Sequence, residues 1–160
     1  MIAYQGGQSE LVYIAQEAAE RDATKPPIMP RRELQPFADR VLTDSRVSAM
    51  YHPSHQQQHV PVFAEHLSAG EMATTLKHRV TGDLHILIDP RYATRRNLLH
   101  ELAHVLIQEP DGDEHNADWA ACYLRLLQWF DEAPYAEELT QQFHTYNVRV
   151  AHEKHDKAVA

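Results

Sequence analysis

An α+β domain is expected for this chain, with a small sheet beside one buried helix and further helices completing the core. Three patterns carry that expectation. Residues 78–88 place β-branched and apolar residues on both sides of Thr81-Gly82, as a hairpin does. Residues 94–108 are apolar on all but one stripe, as in a helix enclosed by other elements. Segments nearer both ends repeat apolar residues every three or four positions, as half-buried helices do.

The first helix is expected over Ser9 to Arg21. Leu11, Val12, Ile14, Ala15, Ala18 and Ala19 share one broad face there, with Glu10 and Glu17 outside it. Lys25-Pro26-Pro27-Ile28-Met29-Pro30 ends it, because proline removes donors and disfavours helical geometry in the residue before it. A second helix is expected from about Leu34 to Thr43, with Pro36 tolerated in its first turn and Phe37 and Val41 facing inward. His52 to His59 is polar and glutamine-rich, hence a loop. Val60-Pro61-Val62-Phe63 reads as a short strand, held to a sheet edge by Pro61. The hairpin follows, with strands His78–Val80 and Asp83–Ile88, the second also taken as an edge. Asp89-Pro90 closes it. The buried helix runs from about Thr94 to Gln108 and breaks at Pro110-Asp111-Gly112. A helix from about Asn116 to Phe130 repeats Trp119, Cys122, Tyr123, Leu126, Leu127 and Phe130. The last, Pro134 to Tyr146, begins with proline and buries Leu139 and Phe143.

Composition narrows the class. The 160 residues suffice for one core, so one domain over 1–150 and a solvated tail over 151–160 are expected. Lys plus Arg number 15 against 23 Asp plus Glu, a net charge of −8. That surface repels a phosphate backbone, and nucleic-acid binding is disfavoured. The single cysteine, Cys122, excludes an intramolecular disulfide and any zinc site of several thiolates. No apolar run is long enough to span a bilayer, and the first residues lack the order of a signal peptide, so a cytoplasmic location is expected. Histidine stands out at 12 residues, and it is the commonest metal ligand.

Five residues of the buried helix concentrate the chemistry: His100-Glu101-Leu102-Ala103-His104, an HExxH string. A four-residue step is just over one turn, so both imidazoles leave the same face and can reach one ion. Glu101 adjoins the first histidine, placed to meet a coordinated water without ligating the metal. This is the arrangement of a zinc hydrolase. With histidine so abundant the string alone is weak. It gains weight from its apolar helix, where unpaired polar groups are costly, from the strand just before it, and from a third candidate ligand beyond. Catalytic zinc takes three protein ligands. The metzincin pattern fails, because Ile107 stands where it needs glycine and Pro110 where it needs histidine. His115 would give three imidazoles; Glu114, with Asp118 one turn later, has the gluzincin spacing; Asp113 and Asp118 are the remaining carboxylates. In either case Asp118 is a candidate to orient a ligating imidazole.

The segment His100 to Leu106 followed by His115-Asn116-Ala117-Asp118-Trp119-Ala120 resembles the HExxH…HGxxF/W pattern of SprT-like zinc proteins. It is closer still to a small family of zinc metallohydrolases from actinobacteria and their phages, whose histidine helix is followed by HGPxFAxxYLxLV. Here that segment reads His115-Asn116-Ala117-Asp118-Trp119-Ala120-Ala121-Cys122-Tyr123-Leu124-Arg125-Leu126-Leu127. Glu10 to Gln16 and Asn147 to Val150 are also similar, though only the centre is specific. The resemblance implies a zincin-like fold, with His100, His104 and His115 as zinc ligands and Glu101 as the catalytic carboxylate. Asn116 replaces the family's glycine, and asparagine tolerates left-handed backbone angles.

Other candidates have plainer readings beside their functional ones. His52, His55 and His59 have metal-compatible spacing but fit exposed loop histidines. His85 alternates with Leu84 and Ile86 and is expected to face solvent rather than the cleft. Tyr92 and Tyr123 could polarise a tetrahedral intermediate, although Tyr123 fits core packing better. Trp119 is expected in the core against the histidine helix. Arg31-Arg32 and Arg95-Arg96 read as solvated surface pairs. The expected activity is zinc-dependent hydrolysis of a peptide or protein, with the Asp83–Ile88 strand aligning the substrate. The alternative is a zinc-stabilised, non-catalytic binding or structural module, such as a host or phage interaction protein.

Overall fold

The computed structural model describes residues 8–51, 59–110, 112–130 and 132–152. Its elements are α1 (Gln8–Asp22), α2 (Arg31–Thr43), α3 (Ser45–Met50), β1 (Val62–Ala64), β2 (Ala73–Lys77), β3 (Leu84–Ile88), a short 3-10 turn (Pro90–Tyr92), α4 (Arg95–Ile107), α5 (Ala117–Trp129) and α6 (Ala133–Thr145). The fold is α+β. Helix α4 is its axis, packed on β2 and β3 on one side and on α5 on another, with α6 bridging α5 and α1.

Local chemistry sets the bounds of α4. Thr94 caps it by accepting from the Asn97 amide, which satisfies an orphan donor of the first turn. Gln108 ends it in the left-handed region at φ 48°. Leu98, Leu99, Leu102, Ala103 and Val105 are fully buried. On α1, Val12, Ala15 and Ala19 form the buried stripe, whereas Ile14 lies outside it and is exposed. Helix α2 starts earlier than expected, so Pro36 falls in its second turn. The missing proline N–H leaves the Arg32 carbonyl without its helical donor, and Arg32 is exposed.

The sheet differs from the sequence expectation. Its order is β1-β3-β2, with β1 parallel and β2 antiparallel to β3. The strand over 84–88 is therefore central, not an edge, and it has no free side for a substrate. The edges are β1, as Pro61 implied, and β2. The hairpin's first strand is Ala73–Lys77, and residues 78–80 belong to the turn. His78 explains this shift: its N–H donates to the Asp83 carbonyl at 2.7 Å while its carbonyl accepts from Gly82 N–H at 2.9 Å. Its Nδ1 also accepts from the amides of Val80 and Thr81. Gly82 takes φ 76°, and Val80 is left 88% exposed.

Register assigns the faces. Thr75 pairs with Ile86 and Leu76 with His85. Ile86 and Ile88 are buried, so Ala73, Thr75, Ile86 and Ile88 share the face toward α4. His85 lies on the opposite face, edge-on to Phe63 at 6.2 Å, as the solvent-facing reading has it.

Arg96 is not a surface residue. It is 7% exposed, with Nε 2.8 Å from Glu132 Oε2, Nη2 donating to the Thr24 carbonyl at 3.0 Å, and its guanidinium 4.0 Å from the Tyr135 ring centroid. It joins the start of α4 to α6 and to the segment after α1. His52 and His55 lie outside the described residues, as does most of the 151–160 tail. His59 is exposed and bonds Asp39 through Nδ1 at 3.0 Å. Among the described residues, no helix is long and apolar enough to cross a membrane.

Candidate metal centre

His100 and His104 occupy one face of α4, and His115 sits at the entrance to α5. His115 reaches them because its backbone is left-handed, φ 57°, a conformation that costs a non-glycine residue energy unless its surroundings enforce it. They do so from both sides. The His115 amide donates to Glu109 Oε1 at 3.2 Å, and its carbonyl accepts from Gln8 Nε2 at 2.8 Å. Asn116 is not the left-handed residue. It is extended, at φ −65° and ψ 178°, and caps α5 by accepting from the Trp119 amide.

The three imidazoles converge through Nε2. His115 Nε2 is 3.0 Å from His100 Nε2 and 3.2 Å from His104 Nε2. Tetrahedral zinc with bonds of 2.0–2.1 Å would space its nitrogens about 3.3 Å apart. The opposite nitrogens fix the protons. His104 Nδ1 lies 2.9 and 3.1 Å from the two Glu109 oxygens, and a carboxylate only accepts. His115 Nδ1 is 2.9 Å from Ser9 Oγ, whose hydroxyl donates to the Glu114 carbonyl at 2.9 Å. That hydroxyl has spent its hydrogen, so it accepts from His115 Nδ1–H. Gln16 Nε2 lies 3.1 Å from His100 Nδ1, so the amide as placed donates to that ring; turned over, its oxygen would accept from Nδ1–H and give His100 the tautomer of the other two. His104 and His115 therefore present bare Nε2 lone pairs, and with the Gln16 amide turned over His100 presents a third. They repel unless a cation lies between them, and they are the donor set a divalent metal takes.

Burial favours the neutral form of His100 and His115. It drives His100 well below its ordinary value, helped by the charges of His104 and His115. It lowers His115 to about 4, again with help from His104. Together the three histidines are close enough to hold one metal ion.

Glu114 does not join them. It is exposed, and its carboxylate accepts from Gly112 N–H at 3.3 Å. Asp113 is exposed and bonds Asn116. Asp118 orients no imidazole; it is exposed beside Leu106, Ala121 and Arg125. The orienting groups are Glu109, Ser9 and Gln16, which sequence reasoning missed. Ser9 and Gln16 had one legible sign, their seven-residue spacing on a single helix face.

Glu101 is 6% exposed. Its Oε2 accepts from Thr75 Oγ at 2.7 Å, so β2 holds the carboxylate in place. Burial raises its pKa, opposed by His104 and the Thr75 bond. Trp119 is fully buried, with its ring centroid 4.7, 5.3 and 4.4 Å from those of His100, His104 and His115. Tyr123 is also buried, and its hydroxyl donates to the Arg96 carbonyl at 3.3 Å. Tyr92 is exposed on the 3-10 turn, beside Arg91. Neither stands at the histidines' open side.

Two cavities meet at the cluster. One of ≈ 650 Å³ is bounded by Gln16, Glu71, Met72 and Asn97, the other of ≈ 420 Å³ by Lys77, His104, Glu109 and His115. Both share Tyr13, Ala73, Thr74, His100 and Glu101, so they form one groove along β2. Asp89 N–H donates to Met72 and His78 N–H to Asp83, at the two ends of the β2–β3 ladder. Alternation then turns the backbone groups of Ala73, Thr75 and Lys77 away from β3.

Compared with protein-family models, with characterised proteins and with solved structures, the chain matches none.

Proposed function

We propose that this protein is a zinc-dependent hydrolase of zincin-like fold that cleaves peptide bonds. The observation that carries the reading is the set of three imidazole Nε2 atoms converging beside a buried carboxylate that lies outside the cluster. The donor set is neutral imidazole, which suits zinc, and it numbers three, one fewer than a closed structural zinc site takes. His100, His104 and His115 would hold the ion. Bound zinc would acidify a coordinated water and polarise the scissile carbonyl.

The chain's own residues do the rest. Glu101 takes the proton of the attacking water and passes it to the leaving amine nitrogen. Its raised pKa suits a group that must both accept and return a proton. Thr75 holds one carboxylate oxygen, leaving the other for the proton. The outward backbone groups of Ala73, Thr75 and Lys77 fit an extended peptide laid along β2 as an added strand. The resemblance to SprT-like zinc proteins points to the same chemistry.

The test is Glu101→Gln in the full chain. The variant should keep one zinc per chain and lose at least about 100-fold in turnover of a cleaved peptide, as removal of a general base does. Equal turnover by the zinc-loaded variant would remove Glu101 from the mechanism. A wild-type chain that binds zinc and cleaves no peptide would favour the zinc-stabilised binding module instead.

A further inference from the structure

Helix α1 presents Ser9, Tyr13 and Gln16 at i, i+4 and i+7, which is one face. The outer two are spoken for: Ser9 meets His115 Nδ1 and Gln16 meets His100 Nδ1. Tyr13 lies between them and extends further. Its ring stands edge-on to His115 at 5.1 Å and near-parallel to His100 at 6.4 Å. It remains 56% exposed and lines both cavities of the groove together with Glu101. Tyr13 thus occupies the wall facing β2 across the open side of the histidine cluster. A tyrosine hydroxyl titrates at about 10, so it keeps its hydrogen at neutral pH.

We propose that Tyr13 is a catalytic residue whose hydroxyl donates a hydrogen bond to the oxyanion formed when water adds to the substrate carbonyl. This rests on the hydrolase reading above. Water oxygen bonds to the carbonyl carbon, the C=O π pair moves onto oxygen, and the water's proton goes to Glu101. When the C–N bond breaks, the pair on oxygen re-forms the carbonyl and the amine leaves with the proton from Glu101. Tyr13 donates a hydrogen bond throughout and loses no proton. Such a donor is worth most where charge develops, so its removal acts on kcat rather than KM.

The test uses the zinc-loaded full chain, a pool of quenched-fluorescent peptides of randomised sequence, and the variants Tyr13→Phe and Glu101→Gln. Tyr13→Phe keeps the ring and removes only the hydroxyl. It should retain wild-type zinc content and melting temperature, and lose about 100-fold in kcat with KM within twofold. A phosphinic isostere of the cleaved bond, measured by calorimetry, should bind about 100-fold more weakly to Tyr13→Phe, while the cleavage products bind equally. A kcat within twofold of wild type, equal isostere binding, or loss of zinc from Tyr13→Phe would each overturn the role of Tyr13 alone. Absence of any cleavage by wild type would overturn the hydrolase reading and this role with it.

Discussion

The strain at His115 and the clamps on its amide and carbonyl are two sides of one design. A left-handed histidine is tolerated because Glu109 and Gln8 hold its backbone, and Glu109 also fixes the tautomer of His104. Glu109 therefore links two of the three clustered histidines at once. Glu109→Ala should weaken zinc binding by about 10–100-fold, measured by competition with a chromogenic chelator. By the same measurement, His115→Ala should abolish stoichiometric binding, while Glu114→Ala and Asp118→Ala should match wild type. Zinc lost on changing Glu114 and kept on changing His115 would reverse the ligand assignment. The histidine triad was legible because HExxH is local and His115 lies only eleven positions beyond His104. Its orienting groups were not, since Gln16 and Ser9 stand 84 and 106 positions from the rings they hold. Only folding brings them together.

At the scale of elements, helices α4 to α6 follow their apolar spacing and caps closely, because those signals are short-range. Strand order is a long-range property, and 84–88 reads the same as an edge or as a centre. The Ala73–Lys77 strand went unseen for a related reason: it is a polar, half-buried edge whose outer face carries no hydrophobic alternation. Arg96 shows the same limit. Two arginines at a helix start read as solvated, yet one fills a buried slot between Glu132 and the Tyr135 ring. Arg96→Ala leaves the Glu132 carboxylate, only 12% exposed, without its partner. It should cost about 3–5 kcal/mol, read by urea denaturation, whereas an Arg31→Ala change should stay within about 0.5 kcal/mol. Equal effects would show that Arg96 carries no structural load.

Folding assembles the candidate metal centre, because its three histidines sit on or beside the core helices and their outer contacts reach α1. The metal-free protein should therefore be acid-sensitive. In the unfolded chain an imidazole binds its proton near 6.5, whereas in the fold His115 does so only near about 4 and His100 also well below its ordinary value. Between those limits the unfolded state holds more protons, so stability falls as pH drops from about 7 toward 4, by on the order of 3 kcal/mol from His115. Urea melts of the chelator-treated protein across that range check the sign; stability rising on acidification would contradict it. Zinc at a hundredfold excess over its Kd should add about 3 kcal/mol, a rise of about 6–12 °C in Tm for a chain of this size, and a chelator should reverse it.

The central claim is that three imidazoles and no fourth side chain grip one divalent cation. Zinc K-edge X-ray absorption on the full chain loaded with one equivalent of zinc tests it most directly. The account predicts three imidazole nitrogens and one further light atom at about 2.0–2.1 Å. A sulfur shell from Cys122, a shell of four protein ligands, or failure to take up one equivalent would contradict it.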